Sequence, residues 1–232
     1  STWLYKCTAE VRCDYSFVVG HLGKNATVGA SAFATQPTER VYGDILTLAV
    51  GDGYRQLAIK TYAALQHAVG VGARFIGKID DDVYCNVPVL LELLWSHDDP
   101  LLYGGRIYAE NEVLRDGIWN IPLGDAEGLH VAYASGSSYF ATPAAVTRAL
   151  ELIVAGESPL WPAVEDAALG RAMHAAGIVV QELSGIRDDV GDIWLPQYRD
   201  VCNETGTVCF HKPTSLEWCA ELHEQFHSEI HF

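Results

Sequence analysis

A chain of 232 residues with 49% hydrophobic and 19% charged residues is long enough for one sizeable α/β domain and apolar enough to fill its core, which excludes a disordered chain. Its formal charge of −15 excludes binding along a nucleic-acid backbone, which takes clustered Lys and Arg. No apolar run is long enough to span a bilayer and the first residues lack a signal-peptide layout, so any membrane anchor is expected outside this chain.

The first apolar run, residues 15–19 (YSFVV), stops at Gly20 and predicts a buried strand; residues 44–50 (DILTLAV) predict a second. Helical spacing then takes over, with Tyr54, Leu57, Ala58, Thr61, Leu65 and Ala68 on one face and Asp52 placed to cap the helix. Residues 75–79 (FIGKI) read as a strand, and Asp80, Asp81 and Asp82 follow at its C-terminal end. Asn86 and Pro88 then open a helix (VPVLLELLW), an N-cap followed by a first-turn proline. Residues 101–107 and 137–141 look like strands, and Thr142 with Pro143 starts a helix running to about residue 155. Residues 163–176 form another helix that Gly177 should stop, and 178–183 is strand-like. This alternation predicts an α/β fold with a mixed, mostly parallel central sheet. With no repeat or low-complexity linker, a single domain over 1–232 is expected.

Asn25 and Asn203 begin N-glycosylation sequons. Among six cysteines, Cys7 lies near Cys13, and Cys202 and Cys209 bracket a polar loop. Those spacings suit small disulfide loops in an oxidising secretory lumen; free thiols are the alternative.

Three adjacent carboxylates repel one another unless a cation neutralises them. Oxygen ligands suit a hard divalent ion such as Mg²⁺ or Mn²⁺. On an extended segment Asp80 and Asp82 point to one side and Asp81 to the other, so one pair could face a metal-bound diphosphate. The middle residue would then meet a sugar hydroxyl or Lys78. A solvated acidic turn is the commoner fate of a charge run, but the apolar strand before the triplet and the capped helix after it favour a ligand site.

The stretch from Glu39 (ERVYGDILTLAVGDGYRQLAIKTYAALQ, then FIGKIDDDVYCN) resembles the β1,3-glycosyltransferase family, which holds β1,3-galactosyl-, β1,3-N-acetylglucosaminyl- and Fringe-type transferases. Residues 133–139 (YASGSSY), the Val164-Glu165-Asp166 element with Gly170, and Phe210-His211-Lys212 continue that resemblance in the family's order. It implies a GT-A, Rossmann-like nucleotide-sugar fold in the Golgi lumen. It also implies a UDP-sugar donor held through Mn²⁺ or another divalent cation, a glycan or glycoprotein acceptor, and inversion at the anomeric centre. By the same resemblance Asp82 is a metal ligand and His211 a second. Asp80, Asp81, Lys78 and Gly136 lie on the donor side, and Trp119 and Glu165 on the acceptor side. Asp166 is the general base. Inversion needs one displacement, hence one base and no covalent nucleophile.

Each residue also has a plainer reading. Glu165 and Asp166 could merely complement a helix dipole, and His211 could be a surface histidine. Gly136 could ease a turn, and Trp119 could be core. The chain also departs from the pattern. Ser1-Thr2-Trp3 looks like a family element that follows the opening strand, implying that this strand is missing or replaced. Ile118 stands where the family has a lysine, Val131 lies where a proline is expected, and Cys85 replaces an aromatic or aliphatic residue.

Two rival functions remain. One is a catalytically inactive GT-A domain acting as a binding partner. The other is zinc proteolysis, from His223-Glu224-Gln225-Phe226-His227, which matches H-E-x-x-H. The remaining downstream histidine, His231, converges poorly with that pair on a continuous helix. Trp218, Leu222, Phe226 and Ile230 instead form an apolar stripe suited to a packed terminal helix.

Overall fold

The computed structural model describes residues 14–21, 45–51, 53–122, 128–158, 161, 164–187 and 209–211. Two apolar runs form the first, parallel pair: β1 (Phe17–His21) and β2 (Ile45–Gly51), with Phe17 opposite Ile45. A 3-10 turn (Tyr54–Gln56) leads into α1 (Leu57–Val71), which ends on Gly72 in the left-handed conformation at φ 79°. The Asp52 cap expected there lies outside the described residues, as do the Cys7, Cys13 and Cys202 positions, both sequons, the Ser1-Thr2-Trp3 opening and the H-E-x-x-H segment.

The sheet that carries the triplet is four-stranded. Its order is β3 (Ile76–Ile79), β6 (Tyr133–Ala141), β5 (Tyr103–Tyr108) and β7 (Gln181–Glu182). β6 runs antiparallel to both neighbours, while β5 and β7 are parallel. A smaller sheet places β9 (Cys209–His211) between β4 (Val83–Cys85), to which it is antiparallel, and β8 (Ile186–Arg187), to which it is parallel. The mixed orientation matches expectation. A parallel majority does not emerge: three of the six described pairings are parallel.

Helix starts follow the expected chemistry. The Asn86 side chain accepts from the Val89 N–H at the start of α2 (Val87–Trp95). Thr142 Oγ1 accepts from the Ala145 N–H at 3.4 Å and donates to the Pro100 carbonyl at 2.8 Å, fixing α3 (Pro143–Val154) to the loop before β5. α4 (Glu165–Ala175) is followed by Gly177 at φ 74°.

The helices sandwich the sheet edge into layers. Ile59 and Ala63 of α1 pack on Leu46, Leu48 and Val50 of β2. The opposite side of α1 (Ala58, Tyr62, Leu65) joins α3, α4 and β6 in the main core, around Tyr139, Leu169 and Met173. The other sheet face buries Phe140 with Leu90 and Leu94 of α2 and with Leu183 and Cys209. Period-2 alternation along β6 explains the split, since Tyr139 and Phe140 point to opposite faces. α4 lies so close to β6 that a Cβ at Gly170 would overlap Tyr133.

Cys209 forms a disulfide with Cys85, tying β9 to β4 across 124 residues of sequence. This corrects the expected local loop: the partner of Cys209 is not Cys202.

Candidate active site

The triplet sits on a turn, not on an extended segment. Asp80 continues the β3–β6 ladder, its N–H donating to the Ser137 carbonyl at 2.9 Å. The Val83 N–H then donates back to the Asp80 carbonyl at 3.2 Å. That closure cancels the side-to-side alternation expected of the three aspartates and separates their roles. Asp81 and Asp82 are exposed at the tip. Asp80 turns inward, one oxygen 2.5 Å from the Lys78 ammonium.

Lys78 is the centre of the inner cluster. Its side chain is 14% exposed, and the ammonium binds Asp80, stands 3.3 Å from Glu165 and donates to the carbonyl of Gly136. Burial alone would lower its pKa, but Glu165 and Asp80 outweigh that and raise it, so it stays charged. Glu165 is 3% exposed; its desolvation pushes the carboxyl up to about 8, with Lys78 pulling it down and Asp166 pushing it further up. The Tyr62 hydroxyl donates to the Glu165 carbonyl at 2.8 Å, and the Tyr139 hydroxyl lies 3.5 Å from its carboxylate. Burial holds both phenols protonated.

Asp166, the next residue, faces elsewhere because each helical residue advances about a quarter turn around the axis. One oxygen accepts from its neighbour Ala167 N–H at 2.8 Å and the other from the Gly136 N–H at 2.9 Å. Burial raises its pKa while these amides pull it down. The contact depends on irregularity in β6. The two-residue step from Gly105 to Ile107 faces the five-residue step from Tyr139 to Ala134, so β6 bulges at Ser135–Ser138 toward α4. Ser135 Oγ ties the bulge by accepting from the Ser137 N–H at 3.2 Å. A Cβ on Gly136 would lie 3.0 Å from the Asp166 carboxylate, which is why a glycine fits there.

Five of the expected residues, Lys78, Asp80, Gly136, Glu165 and Asp166, thus form one connected cluster. The Glu165 carboxylate, expected on the acceptor side, is turned inward onto Lys78 and Tyr139. On the outer side, the register pairs Val83 with His211, so the His211 backbone lies across the ladder from the residue after Asp82. Among the described residues no three His, Cys, Asp or Glu side chains converge as a metal cage. Asp82, in the turn that enters β4, and His211, on the paired strand β9, are nonetheless a carboxylate-bearing and an imidazole-bearing residue, a donor set that fits a divalent ion.

Trp119 is 51% exposed, so it is not core. Its indole N–H donates to the Tyr54 hydroxyl at 2.5 Å, at the entrance to α1.

Tyr62 and Arg187 were singled out by no sequence motif, and Tyr139 only as the end of the 133–139 element. Tyr62 had a signal, since it is four residues from Ala58 and three from Leu65, on the same helical stripe. Arg187, paired in register with Phe210 of β9, carries a buried Nε with no hydrogen-bond partner among the described residues. It lies in no motif that would have marked it.

A family model described as Galactosyltransferase matches residues 1–184, a span that contains the whole inner cluster and ends before His211. Human beta-1,3-galactosyltransferase 4 is 30% identical over 171 residues, covering 59% of this chain and 44% of that protein. An Arabidopsis thaliana protein named "Probable beta-1,3-galactosyltransferase 1" is 34% identical over 113 residues, covering 45% and 29%. Dog beta-1,3-galactosyltransferase 4 is 29% identical over 176 residues, covering 59% and 45%. The matched stretches span less than half the length of these relatives.

Proposed function

Because the chain belongs to the galactosyltransferase family, we propose that it moves a hexose or N-acetylhexosamine from a UDP-sugar to a glycan hydroxyl in β1,3 linkage, with inversion. The observation that carries this reading is the contact between Asp166 and the Gly136 amide, two hydrogen bonds from Asp80 at the strand end. It puts a carboxylate of raised pKa beside the donor-side residues, as a single displacement with one general base needs. Asp166 uses one lone pair on each oxygen for an amide, leaving capacity to take the proton of an acceptor hydroxyl.

Asp80 and Asp81 are the donor-side carboxylates in this reading, and Asp82 with His211 would hold Mn²⁺ or a similar divalent ion. Such an ion, when bound, offsets negative charge on the departing diphosphate. The half-exposed Trp119 ring suits stacking on an acceptor sugar. The Cys85–Cys209 disulfide and the two sequons support a Golgi lumen location, with an anchor outside this chain.

The test is UDP release from a panel of UDP-sugars with Mn²⁺, UDP-galactose first, using a glycan acceptor. Turnover that needs Mn²⁺ and disappears in Asp82→Ala and Asp166→Asn supports the assignment. No turnover with any donor, from protein that binds UDP and Mn²⁺, would favour an inactive binding domain.

A further inference from the structure

Lys78 is where the donor-side strand, the β6 bulge and the base-bearing helix meet. We propose that Lys78 and Glu165 are a positioning pair that clamps the Gly136 bulge against Asp166, and that neither side chain touches donor or acceptor. The kinetic part of this proposal rests on the transferase reading; the structural part does not.

An ammonium has three N–H donors. Lys78 faces three oxygens, on Asp80, Glu165 and Gly136, so none is left for a phosphate or a sugar hydroxyl. Glu165 is 3% exposed and enclosed by Lys78 and Tyr139, with its backbone carbonyl held by Tyr62. Gly136 is gripped at both ends, its carbonyl by Lys78 and its N–H by Asp166. A shift of Lys78 therefore reaches Asp166 through one residue. Glu165 fixes Lys78 from the α4 side and is covalently joined to Asp166, so the pair sets the distance between helix and bulge.

Removing one partner leaves the other's buried polar group short of a contact, whereas removing both leaves neither. Positioning can thus be separated from plain stability. The experiment uses the full chain in four forms: wild type, Glu165→Gln, Lys78→Met and the double variant. Two readouts are taken, amide hydrogen exchange at Gly136 and steady-state kinetics with UDP-galactose and Mn²⁺.

Each single variant should speed Gly136 exchange by about tenfold or more, since the bulge loses its anchor. Glu165→Gln should lower kcat by about tenfold to a hundredfold, the scale of a slightly misplaced catalytic group. Its KM for donor and acceptor should stay within about threefold, as for a residue that contacts neither. The double variant should recover Tm but neither Gly136 protection nor kcat, an outcome a merely structural role would not give. Unchanged Gly136 exchange in both single variants overturns the proposal. So does a raised acceptor KM with normal kcat in Glu165→Gln, which would make Glu165 a substrate contact. If wild type shows no turnover, the transferase reading falls while Gly136 exchange still decides the clamp.

Discussion

The two halves of the candidate site are built on opposite principles. Around Lys78, every hydrogen-bonding group of the cation meets an oxygen of the chain itself, and one of the two carboxylates it faces, Glu165, is buried. Three and four residues further on, Asp81 and Asp82 are exposed on a turn, beside a strand whose register brings the His211 backbone near. The inner half is closed on itself, while the outer half exposes the two carboxylates to which the proposed reading assigns the donor and its cation. Preorganisation belongs where a base must be aimed, and open ligands belong where a metal-bound donor must enter and leave.

The largest expected effect lies on the inner half. Asp166→Asn keeps the shape but removes the base, and its amide oxygen can accept from only one of the two N–H groups; transfer should fall by about 10²- to 10⁴-fold while the chain stays folded. Retained turnover would move the base elsewhere. Next is Gly136→Ala, where the added Cβ must push Asp166 from a 3.0 Å approach. Its kcat should drop by about tenfold to a hundredfold, with KM little altered. An active Gly136→Ala enzyme would show that the bulge tolerates displacement.

A third effect is on pH-dependent stability. Burial raises the Glu165 carboxyl from its ordinary 4.5 to about 8, so the folded chain holds a proton that the unfolded chain releases between those values. The unfolded state binds fewer protons there, and this group's contribution to stability therefore falls as pH rises from about 4.5 to about 8. Glu165→Gln should flatten that part of the Tm–pH curve; an unchanged curve would mean Glu165 titrates normally. The smallest effect is expected from Trp119→Ala, a several-fold rise in acceptor KM with kcat and donor KM preserved, consistent with stacking worth about 1 kcal/mol. A change in donor KM instead would place Trp119 on the other side.

How much of this was legible depended on whether the signal was local. The β3 strand and its acidic end were readable because an apolar run stops abruptly at three carboxylates. Asn86 and Thr142 were readable because caps act within one turn. The first four residues of β6, 133–136, were not, since Ala134, Ser135 and Gly136 have no apolar alternation to show a strand. β4, β8 and β9 are two or three residues long, too short for periodicity, and the Cys85–Cys209 bond joins sites 124 residues apart. Glu165 and Asp166 look alike as neighbouring acids. Only the angle between successive helix positions, combined with α4 docking on β6, sends one onto Lys78 and the other onto Gly136. The turn at Asp80 was hidden for a similar reason: the Val83 N–H that closes it is a backbone group, present in any sequence.

The division between a self-sufficient inner half and an open outer half is tested most directly by calorimetric titration of UDP in Mn²⁺ into wild type, Asp82→Ala and Asp166→Asn. Asp82→Ala should keep the wild-type Tm within about 2 °C, since it removes no core packing, and Asp166→Asn, which loses one buried N–H contact, should stay folded with a Tm lower by about 2–8 °C. Binding should be lost in Asp82→Ala and retained in Asp166→Asn. Equal binding in all three, or loss in Asp166→Asn alone, would contradict the assignment of donor and metal to the outer turn and of the base to the inner cluster.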